Sequence, residues 1–440
     1  MSVITRFAPS PTGLLHVGNT RTALINWLFT RSLKGKVILR IDDTDNQRSK
    51  KEYELKIKEE LQWLGLIWDE TFNQSDRIDL YESAKTKLIN SGRLYPCYET
   101  AEELSIKKRS LLSRNLPPIY DRASLKLTLE QRKEKENQGI KPHWRFMLLP
   151  GEISWTDMVR GEISLNGDSI TDPVLFKADG SMTYTLASVV DDIEMGITNI
   201  IRGEDHLTNS GTHIQIFEAL NSPKIPTFAH ISLLYNKDKE ISKRLGGFDI
   251  ESLRQKGIEP ITINSFLAKI GTSDNVEPCL NLDQLVEQFS FSKLGKASVH
   301  YDIQDMYNLN TKVLHSMPYE NVMQRFSKPI SKEFWLAVRG NINQAIDAEF
   351  WWDICKQTTE NAINPEFAKL AIALLPEGEI NDSTWSEWIE KIKNTKEFSN
   401  KEIFSQLRQA LTGLEHGPEL SKILVFIGRQ ETIKRLEFSI

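Results

Sequence analysis

The residue types best suited to phosphate chemistry lie near the start of the chain, in the segment Arg6-Phe-Ala-Pro-Ser-Pro-Thr-Gly-Leu-Leu-His-Val-Gly-Asn19. A short apolar run precedes its Pro and Gly turn, and a helical pattern follows it. A helix that begins just after a strand directs unpaired backbone N–H groups and the positive end of its dipole at the edge of a sheet. We therefore expect phosphate to bind there, with His16 within reach and Gly18 leaving room for a purine.

A second candidate segment is the basic loop Lys237-Asp-Lys-Glu-Ile-Ser-Lys-Arg-Leu-Gly-Gly247. Cations beside a pentavalent phosphorus stabilise the charge that grows as pyrophosphate leaves. A short basic loop taken alone is more often a solvated surface segment. Its assignment therefore depends on the other motifs.

These segments resemble the signature regions of class I aminoacyl-tRNA synthetases, in the bacterial form of the glutamyl-tRNA synthetases. The first is similar to the His-Ile-Gly-His region, with Asn19 in place of the last histidine. The basic loop is similar to the Lys-Met-Ser-Lys-Ser loop, with Glu240 in place of its first lysine. Leu39-Arg-Ile-Asp-Asp-Thr-Asp45 is similar to the family's Arg-Ile-Glu-Asp-Thr-Asp strand end, with Asp42 in place of the glutamate. Likeness extends to Arg254–Pro260 and Leu407–Leu420, so it covers essentially the whole chain.

The resemblance implies the reaction and the site. Glutamate and ATP form glutamyl adenylate, and the 3′-terminal adenosine of a bound tRNA(Glu) then attacks its carbonyl. ATP is a substrate, Mg²⁺ accompanies it, and tRNA must be bound before glutamate is activated. The implied catalytic residues are His16, Lys243 and Arg244. The implied glutamate-binding residues are Arg6, Ala8, Ser10, Asp42, Tyr184, Ser188 and Arg202. The implied ATP-binding residues are Pro9, His16, Gly18, Asn19, Asp205, His206, Leu233, Leu234, Ser242 and Lys243.

The chemistry of these residues agrees with a glutamate substrate. A carboxylate such as Asp42 at the mouth of a sheet can hold an amino-acid ammonium by a charge-assisted hydrogen bond. Arginine suits a side-chain carboxylate because its planar fork donates two parallel hydrogen bonds. Arg202 and Arg6 together favour glutamate over glutamine, since an amide offers one acceptor and turns a donor towards cationic N–H groups.

The elements that must position these residues follow from periodicity. Residues 3–7 and Val37–Ile41 read as strands, and Leu14–Leu33 reads as the helix between them. Ser49 and Glu52 have the spacing of a capping box that starts a helix ending near Gly65. We expect an α/β fold with a Rossmann-like parallel sheet, an inserted α+β domain and an all-helical C-terminal half. The predicted divisions are residues 1–95 and 181–246 for the catalytic domain, 96–180 for the insertion, 247–325 for a helical stem-contact region and 326–440 for an anticodon-binding domain.

The insertion is basic and holds a single cysteine near its start. Leu104–Arg145 carries eleven Lys or Arg against four Asp or Glu, although the whole chain has a net charge of −5. We expect its residues Lys107, Lys108 and Arg109 to contact phosphates of the tRNA acceptor end. Family members that hold zinc here use a Cys-x-Cys after a tyrosine. Tyr95-Pro-Cys97-Tyr-Glu99 keeps one cysteine, so we predict no metal.

The composition of the chain argues against membrane-spanning and disulfide-rich secreted proteins. The chain has 440 residues, three well-separated cysteines and no apolar run near the ~18 residues of a membrane span. The start resembles no signal peptide, so we expect a cytoplasmic protein, without a membrane partner and monomeric.

Three alternatives accompany this reading. The enzyme could charge tRNA(Gln) with glutamate, in addition to tRNA(Glu) or instead of it, and the sequence does not decide between them. A catalytically silent paralogue would be supported only by Glu240 and Asp42. A truncated paralogue that modifies an anticodon base is disfavoured by the long helical C-terminal half.

The role of the basic loop can be tested at Lys243. We expect Lys243→Ala to lower the rate of adenylate formation by about 10²-fold or more, because a preorganised cation is lost from the transition state. The Michaelis constant for glutamate should change less. Single-turnover adenylation in the presence of tRNA measures both, and an unchanged rate would contradict the assigned role.

Overall fold

The computed structural model describes residues 2–45, 47–236, 239–240, 248–358 and 360–440, with only the backbone at 236 and 239–240. The chain divides into two compact units. The first contains residues 1–255 and 263–303, and the second contains 256–262 and 304–440. No helix in these described ranges is long and apolar enough to cross a membrane.

The bounds of the elements are as follows. The strands are β1 (Ile4–Phe7), β2 (Lys36–Ile41), β3 (Glu70–Asn73), β4 (Leu94–Cys97), β5 (His143–Phe146), β6 (Glu152–Asp157), β7 (Gly161–Asn166), β8 (Val174–Phe176), β9 (Asn199–Gly203), β10 (Thr227–Ile231), β11 (Leu234–Asn236), β12 (Lys239–Glu240) and β13 (Val299–His300). The helices are α1 (Val17–Ser32), α2 (Lys51–Trp63), α3 (Ile78–Asn90), α4 (Ala101–Ser113), α5 (Leu129–Asn137), α6 (Tyr184–Glu194), α7 (Leu207–Ala219), α8 (Ile250–Gln255), α9 (Pro260–Lys269), α10 (Leu282–Gln288), α11 (Ile303–Ser316), α12 (Lys332–Val338), α13 (Asp347–Lys356), α14 (Pro365–Leu374), α15 (Thr384–Asn394), α16 (Asn400–Thr412), α17 (Leu420–Ile427) and α18 (Arg429–Glu437).

The first unit is built on the predicted parallel sheet. Strands β1, β2 and β3 pair in parallel, and so do β9 and β10. The two groups meet where the N–H of Thr198 donates to the carbonyl of Ile4 at 2.9 Å. The spatial order is therefore β3-β2-β1-β9-β10. The chain winds in opposite directions from β1, which is the arrangement that opens a ligand crevice at the carboxyl ends of the strands.

Helix α2 begins differently from the prediction. Its N-cap is Lys50, which makes no side-chain capping hydrogen bond, and the hydroxyl of Ser49 has no hydrogen-bond partner among the described residues. The predicted capping box of Ser49 and Glu52 is therefore wrong. The N–H of Lys50 instead donates to the carbonyl of Pro11 at 3.0 Å, so the helix starts one residue later than a cap at Ser49 would set.

The insertion is α+β, as expected. Strands β4, β5 and β8 form an antiparallel sheet, β6 and β7 form a hairpin, and α4 and α5 complete the segment. The hairpin turns back onto the large sheet, where the N–H of Met158 donates to the carbonyl of Phe228 in β10 at 2.9 Å. The inserted segment thus reaches the strand that ends beside the crevice.

The second unit is helical, from α11 to α18. Its buried residues include Trp335, Trp351 and Trp388. The region from residue 247 onwards is predicted to be all-helical. The short strand β13, which belongs to the first unit and pairs with β11, is an exception to that prediction. The finer five-part division of the chain stays a prediction.

Candidate active site

A cavity of about 640 Å³ lies at the carboxyl ends of β1, β2, β9 and β10, next to the start of α1. It brings together fourteen of the residues predicted from sequence. They are Arg6, Ala8, Pro9, Ser10, His16, Gly18, Asn19, Asp42, Tyr184, Arg202, Asp205, His206, Leu233 and Leu234. Segments far apart in the chain therefore meet at one edge of the sheet, as expected for ligand sites in open parallel sheets.

The start of α1 differs from the expectation of unpaired N–H groups. His16 is the N-cap, and its Nδ1 accepts from the N–H groups of Gly18 at 3.1 Å and Asn19 at 3.3 Å. The N–H of Val17 donates to the carbonyl of Phe248 at 2.8 Å. The first-turn donors are thus already satisfied inside the protein. Since Nδ1 is an acceptor, the neutral ring carries its proton on Nε2.

Glycine at position 18 is required by the histidine itself. A Cβ on Gly18 would lie 3.0 Å from Cε1 and 3.1 Å from Nδ1 of His16, closer than ordinary van der Waals contact. The absence of a side chain therefore lets the ring lie over the first turn of α1. That Gly18 also leaves room for a purine stays a prediction.

A buried network of arginines and aspartates forms the floor of the cavity. Arg40 donates through Nε to Asp42 at 2.7 Å and through Nη1 to Asp192 at 2.8 Å. Arg6 donates through Nε to the same Asp192 at 3.1 Å. Burial alone lowers the pKa of Arg40, but the carboxylates of Asp42, Asp192 and Asp191 raise it well above its usual value. Arg40 is therefore a permanent cation that ties β2 to α6.

Asp42, the predicted ammonium partner, lines the cavity and is only 6% exposed. Burial raises its pKa to about 6, and the Arg40 guanidinium opposes that shift. Ser188, also predicted to bind glutamate, is fully buried and accepts from Nη2 of Arg40 at 3.1 Å. It is not among the residues that line the cavity, so its contact with this site passes through Arg40.

Arg202 differs from the other two arginines because it forms no ion pair with any carboxylate among the described residues. It is 5% exposed and donates to the hydroxyl of Tyr184 at 3.2 Å and to Oγ of Ser210 at 2.6 Å. Its Nε has no hydrogen-bond partner in the part of the chain that the structure describes. Burial lowers its pKa from the usual value. A buried cation without a counter-ion at the wall of a cavity favours binding of a carboxylate ligand there.

Tyr184 lies between Arg202 and two histidines. Its ring centroid is 5.7 Å from that of His206 and 6.0 Å from that of His213. Burial and the nearby Arg202 lower the pKa of His206, and burial lowers the pKa of His213 well below its usual value. Both rings are therefore neutral at pH 7, which leaves Arg202 as the cation of this wall.

Sequence reasoning missed several residues of the site. Arg40 and Asp192 hold the floor, and Arg21 lines the cavity while donating to the carbonyls of Ser232 and Ile270 at 2.8 and 3.1 Å. A signal for Asp192 was present, since the paired acids 191 and 192 interrupt an otherwise apolar helix pattern. Charged residues at positions that a helix buries indicate partners in the fold.

Other predicted residues lie elsewhere. Ser242, Lys243 and Arg244 fall outside the described residues. Residues 107–109 lie on α4 in the insertion, away from the cavity-lining set. Lys107 is held by the carboxylates of Asp121 at 3.1 Å and Glu99 at 3.6 Å, whereas Lys108 and Arg109 are exposed.

Metal ligands are scarce in the described part of the chain. It contains no group of three or more His, Cys, Asp or Glu placed to hold a metal ion. Cys97 is buried, and burial raises the pKa of its thiol to about 11. The cavity carboxylates are Asp42, which is bound to Arg40, and the exposed Asp205. The residues therefore do not fit a resident Mg²⁺ site. A Mg²⁺ ion that is carried on the phosphates of ATP does not need such a site in the protein.

Comparison with known proteins gives consistent matches along the chain. Residues 2–308 match the family model described as "tRNA synthetases class I (E and Q), catalytic domain", and residues 344–440 match "Anticodon binding domain". The chain is 50% identical over 443 residues to glutamate–tRNA ligase 2 of Rickettsia canadensis and 48% identical over 442 residues to glutamate–tRNA ligase 1 of Rickettsia rickettsii, with 99% of each chain covered. A solved glutamate tRNA ligase of Elizabethkingia meningosepticum, in complex with its amino acid, has a TM-score of 0.85 and 27% identity, covering all of this chain and 99% of that one.

The floor network can be tested at Asp192. We expect Asp192→Asn to lower the free energy of unfolding by about 3 kcal/mol or more, because two buried guanidinium groups lose a shared counter-charge. Asp205→Asn is the matched control, since Asp205 lines the same cavity but is exposed. Urea denaturation measures both variants, and equal midpoints would contradict the role of the network.

Proposed function

The chain belongs to the class I tRNA synthetases for glutamate and glutamine, and we propose that it is a glutamate–tRNA ligase. ATP is its substrate in the first step, which forms glutamyl adenylate and releases diphosphate. The second step transfers the glutamyl group to the 3′ end of tRNA(Glu), with release of AMP. The comparisons give no support to a role in charging tRNA(Gln).

The observation that carries the choice of glutamate is the unpaired charge of Arg202. Arg6 and Arg40 are each bound to buried carboxylates, whereas the hydrogen bonds of Arg202 within the described residues go to hydroxyl groups and its guanidinium lies over the Phe228 ring at 5.9 Å. The γ-carboxylate of glutamate supplies the missing anion. The amide of glutamine carries no charge and turns a donor towards cationic N–H groups, so it binds less well. Arg6 contributes less than sequence reasoning assigned it, because Asp192 already compensates its charge.

The mechanism requires no protein nucleophile, since the α-carboxylate of glutamate itself attacks the α-phosphorus of ATP. The protein contributes by holding the reactants in position and by stabilising charge. Asp42 holds the ammonium, and Arg202 holds the side chain. By the resemblance of the basic loop, Lys243 and Arg244 face the α-phosphate, and His16 is a hydrogen-bond donor through Nε2. Mg²⁺ carried by ATP supplies further charge compensation on the phosphates.

The partners follow from the two matched regions. The match of residues 344–440 to an anticodon-binding domain supports recognition of the anticodon of tRNA(Glu). The basic insertion supports contact with the acceptor end, through Lys108 and Arg109, which are exposed. A monomer that acts in the cytoplasm completes the proposal.

The substrate assignment can be tested at Arg202. We expect Arg202→Gln to lower kcat/KM for glutamate by about 10²-fold or more, because one partner of a desolvated charge pair is removed. Discrimination against free glutamine should fall with it. Aminoacylation with purified tRNA(Glu) measures both, and Arg254→Gln, an arginine on α8 outside the cavity, is the control. Normal glutamate kinetics in Arg202→Gln would contradict the assignment.

The ammonium contact predicts a pH dependence. Because the pKa of Asp42 is raised to about 6, its carboxylate is ionised above that pH and protonated below it. The attraction to the ammonium is therefore present above pH 6 and is lost as the pH falls through 6. The Michaelis constant for glutamate should rise between pH 7.5 and 5.5 by about fourfold, because the ionised fraction of a group with a pKa of about 6 falls by that factor. In Asp42→Asn it should be high and independent of pH over this range, and an unchanged pH profile would rule out Asp42 as the ammonium partner.

The tRNA contact of the insertion can be tested by charge reversal. Lys108→Glu with Arg109→Glu should weaken tRNA binding and reduce the slope of log affinity against log salt by about one unit per lost phosphate contact. Lys107 is left unchanged because it stabilises the insertion through Asp121 and Glu99. The double variant Lys87→Glu with Lys224→Glu makes the same charge change on exposed positions outside the insertion. If the two double variants bind alike, α4 is only a solvated surface.

A further inference from the structure

A continuous chain of hydrogen bonds runs from Arg202 into the insertion. Nη2 of Arg202 donates to Oγ of Ser210 at 2.6 Å, Oγ of Ser210 lies 2.8 Å from Nε2 of His230, and Nδ1 of His230 lies 2.6 Å from Oδ2 of Asp157. All four side chains are buried. We propose that Ser210, His230 and Asp157 are positioning residues that set the charge and orientation of Arg202, and thereby the preference for glutamate; this rests on the proposed function.

The hydrogen positions follow from the partners. The carboxylate of Asp157 is only an acceptor, so Nδ1 of His230 carries the proton and donates to it. With the proton on Nδ1, Nε2 of His230 is an acceptor at 2.8 Å from the hydroxyl of Ser210, closer than the other acceptor of that hydroxyl, the carbonyl of His206 at 3.3 Å, so we assign the hydroxyl proton to His230. The oxygen of Ser210 remains an acceptor for Nη2 of Arg202. Each bond polarises the next, so the negative charge of Asp157 acts on the guanidinium through the ring of His230 and the hydroxyl of Ser210.

The same distances describe a Ser–His–Asp arrangement, but nucleophilic catalysis does not fit them. Ser210 is fully buried and does not line the cavity. Its oxygen accepts an N–H from a cation, which withdraws the electron density that a nucleophile needs. The serine that a base activates must reach a substrate carbonyl. The chain therefore ends at Arg202, which does line the cavity.

An indirect carboxylate has a physical advantage at this position. A carboxylate in direct contact, such as Asp192 beside Arg6, occupies N–H donors and neutralises the cation. The relay formed by Ser210, His230 and Asp157 occupies only one N–H of Arg202, while Tyr184 takes another and Nε has no partner among the described residues. A guanidinium has five N–H donors, so a ligand carboxylate can still bind through two of them.

The relay starts in the inserted segment. Asp157 is the last residue of β6, and its Oδ1 accepts from the backbone N–H groups of Val159, Arg160 and His230 at 3.0, 2.9 and 3.2 Å. Burial by itself raises the pKa of Asp157, but these bonds and the one from the His230 ring hold it below its usual value. Asp157 is therefore ionised at pH 7, and the turn of the β6–β7 hairpin controls where its charge lies.

The decisive variant is Asp157→Asn. Asparagine keeps an acceptor for the backbone N–H groups, but its NH₂ group faces Nδ1 of His230 and forces the ring proton onto Nε2. We expect the KM for glutamate in tRNA aminoacylation to rise by about tenfold, with KM for ATP nearly unchanged. The inhibition constant of free glutamine should change by less than about twofold, because its side chain carries no charge.

Further variants separate this role from a structural one. Ser210→Ala removes the link next to Arg202 while keeping a good helix former in α7, and it should also raise KM for glutamate more than the inhibition constant of glutamine. Asp168→Asn is the matched control, since Asp168 is an exposed aspartate just after β7. In the Arg202→Gln background, the added effect of Asp157→Asn on glutamate should disappear.

The outcomes are distinct. A loss of glutamate preference in Asp157→Asn and Ser210→Ala that vanishes with Arg202→Gln supports the relay. An equal loss for glutamate and glutamine, or an effect that persists undiminished without Arg202, overturns it. Normal kinetics in both relay variants, with impaired Arg202→Gln, overturns the relay alone. Normal glutamate use by Arg202→Gln overturns the proposed substrate and the relay with it.

Discussion

The burial of positive charge at the edge of the parallel sheet is the constraint on which the catalytic unit depends. Arg40 is fully enclosed, and removing a guanidinium from water is costly unless carboxylates surround it. Asp42, directly after the same strand, and Asp192 on α6 meet that requirement. Because these partners come from segments about 150 residues apart, the charge network forms only when both halves of the sheet are assembled. The same assembly creates the cavity above it.

Arg40, Arg6 and Arg202 are all buried but have different surroundings, and this difference gives them different roles. Arg40 and Arg6 hold elements together because their charges are compensated by aspartates. Arg202 is held by hydroxyl groups, so its charge is available to a ligand. Discrimination between glutamate and glutamine depends on such an available charge, since the two side chains have nearly the same size and shape.

The insertion also supports the cavity by direct contacts. Arg160, in the turn of the β6–β7 hairpin, donates to the carbonyl of His230 at 3.3 Å and to the hydroxyl of Ser232 at 3.0 Å. It also pairs with Glu204, whose carboxylate accepts from the N–H of Leu233 at 3.1 Å. Residues at the glutamate end and at the predicted ATP end of the cavity therefore both contact one hairpin. A change in that hairpin reaches both ends through hydrogen bonds.

The sequence by itself determined the fold class, the family and most of the cavity. Short β-branched strands, helical periodicity and signature segments are local features, and the residues that they identified, such as His16, Asp42 and Arg202, do meet in one place. Local pattern failed at Ser49, where a contact of the neighbouring Lys50 with Pro11 sets the start of α2. It also failed at the first turn of α1, where His16 itself satisfies the donors assigned to phosphate. Only the tertiary structure decided that Arg6 and Arg40 have carboxylate partners whereas Arg202 has none among the described residues, and which buried groups reach Arg202. Charge compensation depends on distances between segments far apart in the chain, and no local spacing encodes those distances.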